Sequence, residues 1–122
     1  MIQRFTDLRV WQEGHSLVLE IYTASKTFPK DELFGLTSQI RRAAVSVTSN
    51  IAEGFVRQTK NDKINFYTTS LASLSELRSQ LLIARDLEYI SRDSFTALEK
   101  KAETVSQMLT GLIRTAPNRI RT

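Results

Sequence analysis

The stretch that decides the fold is residues 41–55, "RRAAVSVTSNIAEGF". Ala43, Ala44, Val47, Ile51 and Phe55 recur at helical spacing, and extending the pattern backward adds Leu36 and Ile40. That is the stripe of a helix made for a core. A second stripe lies beside it: Gln39, Arg42, Ser46, Ser49, Asn50 and Glu53 cluster on one side at 100° per residue. A solvated face would carry lysine and glutamate, yet neither occurs between Gln39 and Ala52. The polar stripe therefore reads as covered. Three covers fit: a polar network inside one bundle, a second subunit, or a nucleic-acid groove.

Three further amphipathic segments flank this one. The first carries Leu8, Trp11, Val18 and Tyr22 beside Val10, Leu17, Ile21 and Phe28, with Thr6 or Asp7 as its cap and Pro29 as its stop. The third has Tyr67, Leu71, Leu74, Leu77, Leu81 and Ala84 inward, and its own polar row of Thr69, Ser73, Glu76 and Gln80. The fourth follows Ser91, a capping residue, and carries Phe95, Leu98, Ala102, Val105, Leu109 and Leu112. The expected helices span residues 7–28, 32–55, 62–87 and 92–115, with a basic tail at 116–122. No segment alternates as a strand would, and no hairpin turn signal occurs. Long helices on short links pack as antiparallel neighbours, so the expectation is all-α: one antiparallel, up-down-up-down four-helix-bundle domain over residues 1–122.

The composition removes several functions. There is no cysteine, hence no disulfide or thiolate metal site, and a reducing cytoplasm is the expected location. No apolar run is long enough for a membrane span. The single histidine, His15, sits at the edge of the first helix's apolar face, where a packed or hydrogen-bonded role is expected. No Glu-x-x-His pair, nucleophile–base pair or glycine-rich phosphate loop is present. The expectation is no catalytic residue, no metal, no cofactor and no enzyme.

The net charge of +4 permits an anionic partner, either RNA or DNA, without requiring one. In the expected topology the N-terminus, the second link and the C-terminus share one end. That end gathers Arg4, Arg9, Arg57, Lys60, Lys63, Arg114, Arg119 and Arg121, chiefly against Asp7 and Asp62. "RQTKNDK" leads Arg57, Lys60 and Lys63 into a helix N-terminus, a position that favours anions. Arg57, Lys60, Lys63, Arg119 and Arg121 are thus the candidate nucleic-acid-binding set, binding phosphates and reading little sequence. The plainer reading is a solvated basic end. Gln39, Arg42, Ser46, Asn50, Glu53 and Glu76 are the candidate oligomer or interhelix polar stripe, with Arg42 expected to pair with Glu76 or with Glu53 of a neighbouring subunit.

"DLRVWQEG" (7–14), "FPKDELFGLTSQIRRAAVSVTSNIAEG" (28–54), "SLASLSEL" (70–77) and "LEYIS" (87–91) together resemble a bacterial family. It is the four-helix-bundle proteins encoded within intervening sequences of the 23S ribosomal RNA gene. The resemblance implies a bundle, often a ring-shaped homopentamer, and no enzymatic activity. A distant relative is a retroelement accessory factor that contacts nucleic acid and a reverse transcriptase. The reading is a homo-oligomeric scaffold or accessory factor with a basic rim; the alternative is a protein–protein adaptor with no nucleic-acid role. Two residues depart from the family pattern. Thr48 replaces a frequent proline, which implies a straighter helix. Ala72 replaces a glycine, which implies a wider helix contact.

Overall fold

The computed structural model describes residues 1–117. Four helices follow one another: α1 (Arg9–Ser25), α2 (Leu36–Phe55), α3 (Lys60–Asp86) and α4 (Arg92–Arg114). Short 3-10 turns at Phe5–Asp7 and Lys30–Glu32 precede α1 and α2. There is no strand among the described residues. Each helix packs on its two neighbours, α1 on α2 and α4, and α3 on α2 and α4. Neither diagonal pair comes into close backbone contact among the described residues. The arrangement is an all-α, up-down-up-down four-helix bundle.

The buried residues explain this packing. In α1 they include Val10, Gly14, Leu17 and Ile21; in α2, Thr37, Ile40, Ala44, Val47, Ile51 and Gly54. In α3 the series is Lys63, Tyr67, Ser70, Leu74, Leu77, Leu81 and Ala84, and in α4 Leu98, Ala102, Val105 and Leu109. All four alternate steps of four and three, the seam that lets near-parallel helices interdigitate side chains. A fully buried leucine or isoleucine contributes about 1.5–3 kcal/mol. The stripes expected from the sequence thus form the core, with Leu71, Phe95 and Leu112 partly buried against it. Tyr22 differs: it lies at the margin of the α1 stripe, where the Arg41 guanidinium sits 4.8 Å above its ring.

The helix ends also differ from expectation. Neither Thr6 nor Asp7 caps α1, whose N-cap is Leu8. The Asp7 carboxylate instead accepts the Gln3 and Arg4 N–H groups of the preceding turn, and those two bonds hold it below the usual carboxylate range. Ser91 does cap α4, accepting the Ser94 N–H at 3.0 Å, and Thr59 caps α3 through Asp62 N–H at 3.1 Å. At α2, Glu32 Oε1 accepts the Leu36 N–H at 3.1 Å while its Oε2 accepts the Tyr89 hydroxyl at 2.8 Å. The first link is thereby tied to the α3–α4 turn, in which Glu88 takes a left-handed φ of 62°.

Candidate functional site

The α2–α3 seam is built from small and polar residues. Ser70 is fully buried and donates to the Val47 carbonyl at 2.7 Å. Ser46 and Ser73 hydroxyls meet at 2.7 Å, and Asn50 Nδ2 donates to the Ser46 carbonyl and hydroxyl. Gly54 lies under Tyr67: a methyl there would come within 2.5 Å of the ring. Thr48 is buried and its hydroxyl donates to the Val45 carbonyl within an unbroken α2, as the absence of proline implies. Ala72 is exposed, so its methyl does not widen this seam.

The polar stripe is therefore split. Ser46 and Asn50 form the internal network, while Gln39, Arg42, Ser49 and Glu53 are exposed on the chain. The expected pairing of Arg42 with Glu76 is absent. Arg42 lies two residues from both Ile40 and Ala44, on the side of α2 away from the core, and makes no hydrogen bond or ion pair among the described residues. Glu76 accepts instead from Gln80 Nε2 at 3.1 Å, and Glu53 pairs with Arg57 one turn on at 2.8 Å. Gln80 itself is 5% exposed, and its Oε1 has no hydrogen-bond partner among the described residues.

The basic end is where the topology was expected to put it. Gly14 faces Thr48 and Ile51, so the start of α1 lies beside the end of α2. Arg4, Arg9, Lys60 and Arg114 are exposed there. Lys63 is not: it is 4% exposed, against the expectation of a phosphate-facing side chain. Its ammonium donates to the carbonyls of Gly54 at 3.3 Å and Phe55 at 2.7 Å, and lies 5.5 Å from the Phe55 ring centre. Lys63 closes the C-terminus of α2, satisfying carbonyls that a helix end leaves without partners. Arg57 is likewise engaged, paired with Glu53 and stacked 4.5 Å from the Phe66 ring centre. Arg119 and Arg121 lie outside the described residues. Of the candidate set, Lys60 alone is exposed among the described residues; Arg4, Arg9 and Arg114, gathered at the same end but outside that set, are exposed with it.

His15 is exposed and stacks on Trp11 with ring centres 4.7 Å apart. The α3–α4 seam is clamped by Arg78, which bonds Glu99 and reaches Glu103 at 3.0 Å. The α1–α4 seam is held by Lys101, 2.9 Å from Glu20 and 2.8 Å from Ser16. Among the described residues no helix is long and apolar enough to cross a membrane.

This fold matches a solved one. It superposes with a TM-score of 0.80 on the crystal structure of a protein of unknown function from the S23 ribosomal protein family of Bacteroides thetaiotaomicron. The two are 23% identical over 87% of this chain and 96% of that one, a likeness of fold. No curated protein matches the chain. The family model for the 23S rRNA-intervening sequence protein matches residues 6–111, nearly the whole bundle. The stretches that suggested this family lie within or across that span, and the chain belongs to the 23S rRNA-intervening sequence protein family.

Proposed function

We propose that this protein is a non-enzymatic cytoplasmic scaffold that assembles with copies of itself and presents its basic end to nucleic-acid phosphates. The observation that carries this reading is the separation of charge along the bundle. Arg4, Arg9, Lys60 and Arg114 are exposed at one end, where Asp7 is spent on backbone N–H groups, Glu53 on Arg57, and Asp62 is the exposed acid beside them. At the other end Lys26, Lys30, Arg85 and Arg92 stand among Asp31, Glu32, Asp86, Glu88 and Asp93. Such an end attracts phosphate through charge and reads little sequence. In a homo-oligomer, a pentameric ring included, the same end of each subunit would add to one basic rim. A protein partner such as a reverse transcriptase would then be brought to the nucleic acid by the scaffold.

The burial of Lys63 favours a second reading, a protein–protein adaptor, because it removes one cation from the phosphate-binding set. Fluorescence anisotropy with a short RNA and a short duplex DNA separates the two. The scaffold reading expects RNA and DNA to bind alike at low salt, with affinity falling steeply as salt rises. Each of Arg4, Arg9, Lys60 and Arg114 replaced by alanine should lower the slope of log affinity against log salt by about one unit or slightly less. Replacing Lys26, Lys30 and Arg92 should matter less. No binding at low salt, or equal losses from both sets, would leave the adaptor.

A further inference from the structure

Phe5, Trp11 and His15 form a row of rings at the basic end. Phe5 meets Trp11 edge-on, with ring centres 5.3 Å apart and planes at 67°. His15 lies flat on the indole, its plane 11° from parallel. The indole is partly buried against the core, whereas His15 is exposed. The imidazole makes no hydrogen bond or ion pair among the described residues.

The row is held in one geometry. Phe5 stands on the 3-10 turn Phe5–Asp7, whose Asp7 carboxylate accepts the Gln3 and Arg4 N–H groups. Gln12 Nε2 reaches back from α1 to the Thr6 carbonyl at 2.9 Å, which ties the turn to its helix. Core packing accounts for the inner side of the indole. It does not account for an imidazole laid flat over that indole in water. Charge around the row is one-sided. Exposed Arg4 precedes Phe5, and exposed Arg9 lies between Phe5 and Trp11 in the chain. Glu20 pairs with Lys101 of α4, and Glu13, two turns earlier, shares that side of α1. The flank of α2 where Thr48 meets Gly14 continues through Val45, Ala52 and Val56, none of them charged.

We infer that the nucleic acid taken by the basic end is single-stranded, and that one of its bases stacks on the His15–Trp11 pair. An unpaired base lays its face on an aromatic ring while the backbone phosphates beside it reach cations. A duplex keeps its base faces covered by one another and offers the rings nothing but phosphate and sugar. Every base has such a face, so the stack tolerates any sequence, in keeping with an end that reads little of it.

This inference rests on the phosphate-binding part of the proposed function, and an abasic strand separates the two. It carries the phosphates of a single strand without the bases. At low salt a single strand should bind about fivefold or more tighter than an abasic strand of the same length, the effect of one stacked base. Trp11 is the only tryptophan in the chain, so its emission reports this row alone. The single strand should quench that emission and a duplex should leave it unchanged. His15→Phe, which keeps a ring at an exposed position, should retain the preference for the strand with bases. Trp11→Leu combined with His15→Ala should abolish it while binding the abasic strand as the unaltered protein does, which also shows that the basic end is still folded. Equal affinity for the two strands, quenching by the duplex, or a preference that survives the double replacement would overturn the stacking site and leave phosphate binding standing. No binding of any of these nucleic acids at low salt would remove both.

Discussion

The α2–α3 seam and the α1–α4 seam hold the same bundle by different means. The first is the most extensive of the four helix contacts and the second the least. Across α2–α3 the backbones approach over Gly54, Ser70 and the Ser46–Ser73 pair, and the Ser70 hydroxyl bonds directly to main chain. Across α1–α4 the helices meet partly through the long arm of Lys101, and a shallow groove of about 370 Å³ remains between Leu19 and Ala97. Close contact needs small side chains and satisfied polar groups. Distant contact needs only length and charge. Ser46, with its neighbour Asn50, is thus the mark of the tighter seam.

Substitutions should separate the two seams by size of effect. Leu77 is fully buried on α3, and Leu77→Ala should cost about 2–5 kcal/mol in denaturant unfolding. Lys63→Met keeps the buried stem but removes the ammonium from the Gly54 and Phe55 carbonyls. It should cost about 1.5–3 kcal/mol, the range of hydrogen bonds to charged groups. A loss below 0.5 kcal/mol, which is ordinary for surface positions, would show that Lys63 turns outward in solution and restore it to the basic rim. Lys101→Ala, on the other seam, should cost about 0.2–1 kcal/mol, and less at high salt. A larger loss than that of Lys63→Met would reverse the comparison.

The smallest effect is one of pH and belongs to the end that ties both links together. Glu32 is held below the usual carboxylate range, first by the Leu36 N–H and then by the Tyr89 hydroxyl. A carboxylate depressed on folding contributes stability above its ordinary pKa, and that contribution disappears as pH falls through its folded value. Melting temperature against pH should therefore fall less steeply on the acid side for Glu32→Gln than for the unaltered protein. Identical slopes would show the bond to be without consequence.

The four helices were legible because their apolar residues keep one period through most of the chain. The links are less so: the pattern carries the first helix to residue 28 and starts the second at 32, since nothing in "PKDELFG" announces a 3-10 turn whose Glu32 caps the next helix from outside. The candidate site was half legible. Ser46 and Asn50 lie part-buried in the α2–α3 seam, whereas Arg42, on the same polar stripe of the sequence, faces away from the core. By its charge Lys63 reads as a surface residue, yet it continues the four–three spacing of Tyr67, Ser70 and Leu74. That spacing, followed through polar residues, places Lys63 and Ser70 inside.

The tie between Lys63 and the end of α2 also bears on the order in which the chain assembles. Only four residues, 56–59, separate α2 from α3, and the lysine bonds a carbonyl 8 residues away. The Lys101–Ser16 bond spans 85 residues. Closing a short loop costs less chain entropy than closing a long one. We therefore expect the α2–α3 hairpin to be formed in the folding transition state and the α1–α4 contact to follow it. Stopped-flow refolding should show Lys63→Met slowing folding and Lys101→Ala mainly speeding unfolding. The opposite division of rates would place the nucleus on the far side of the bundle.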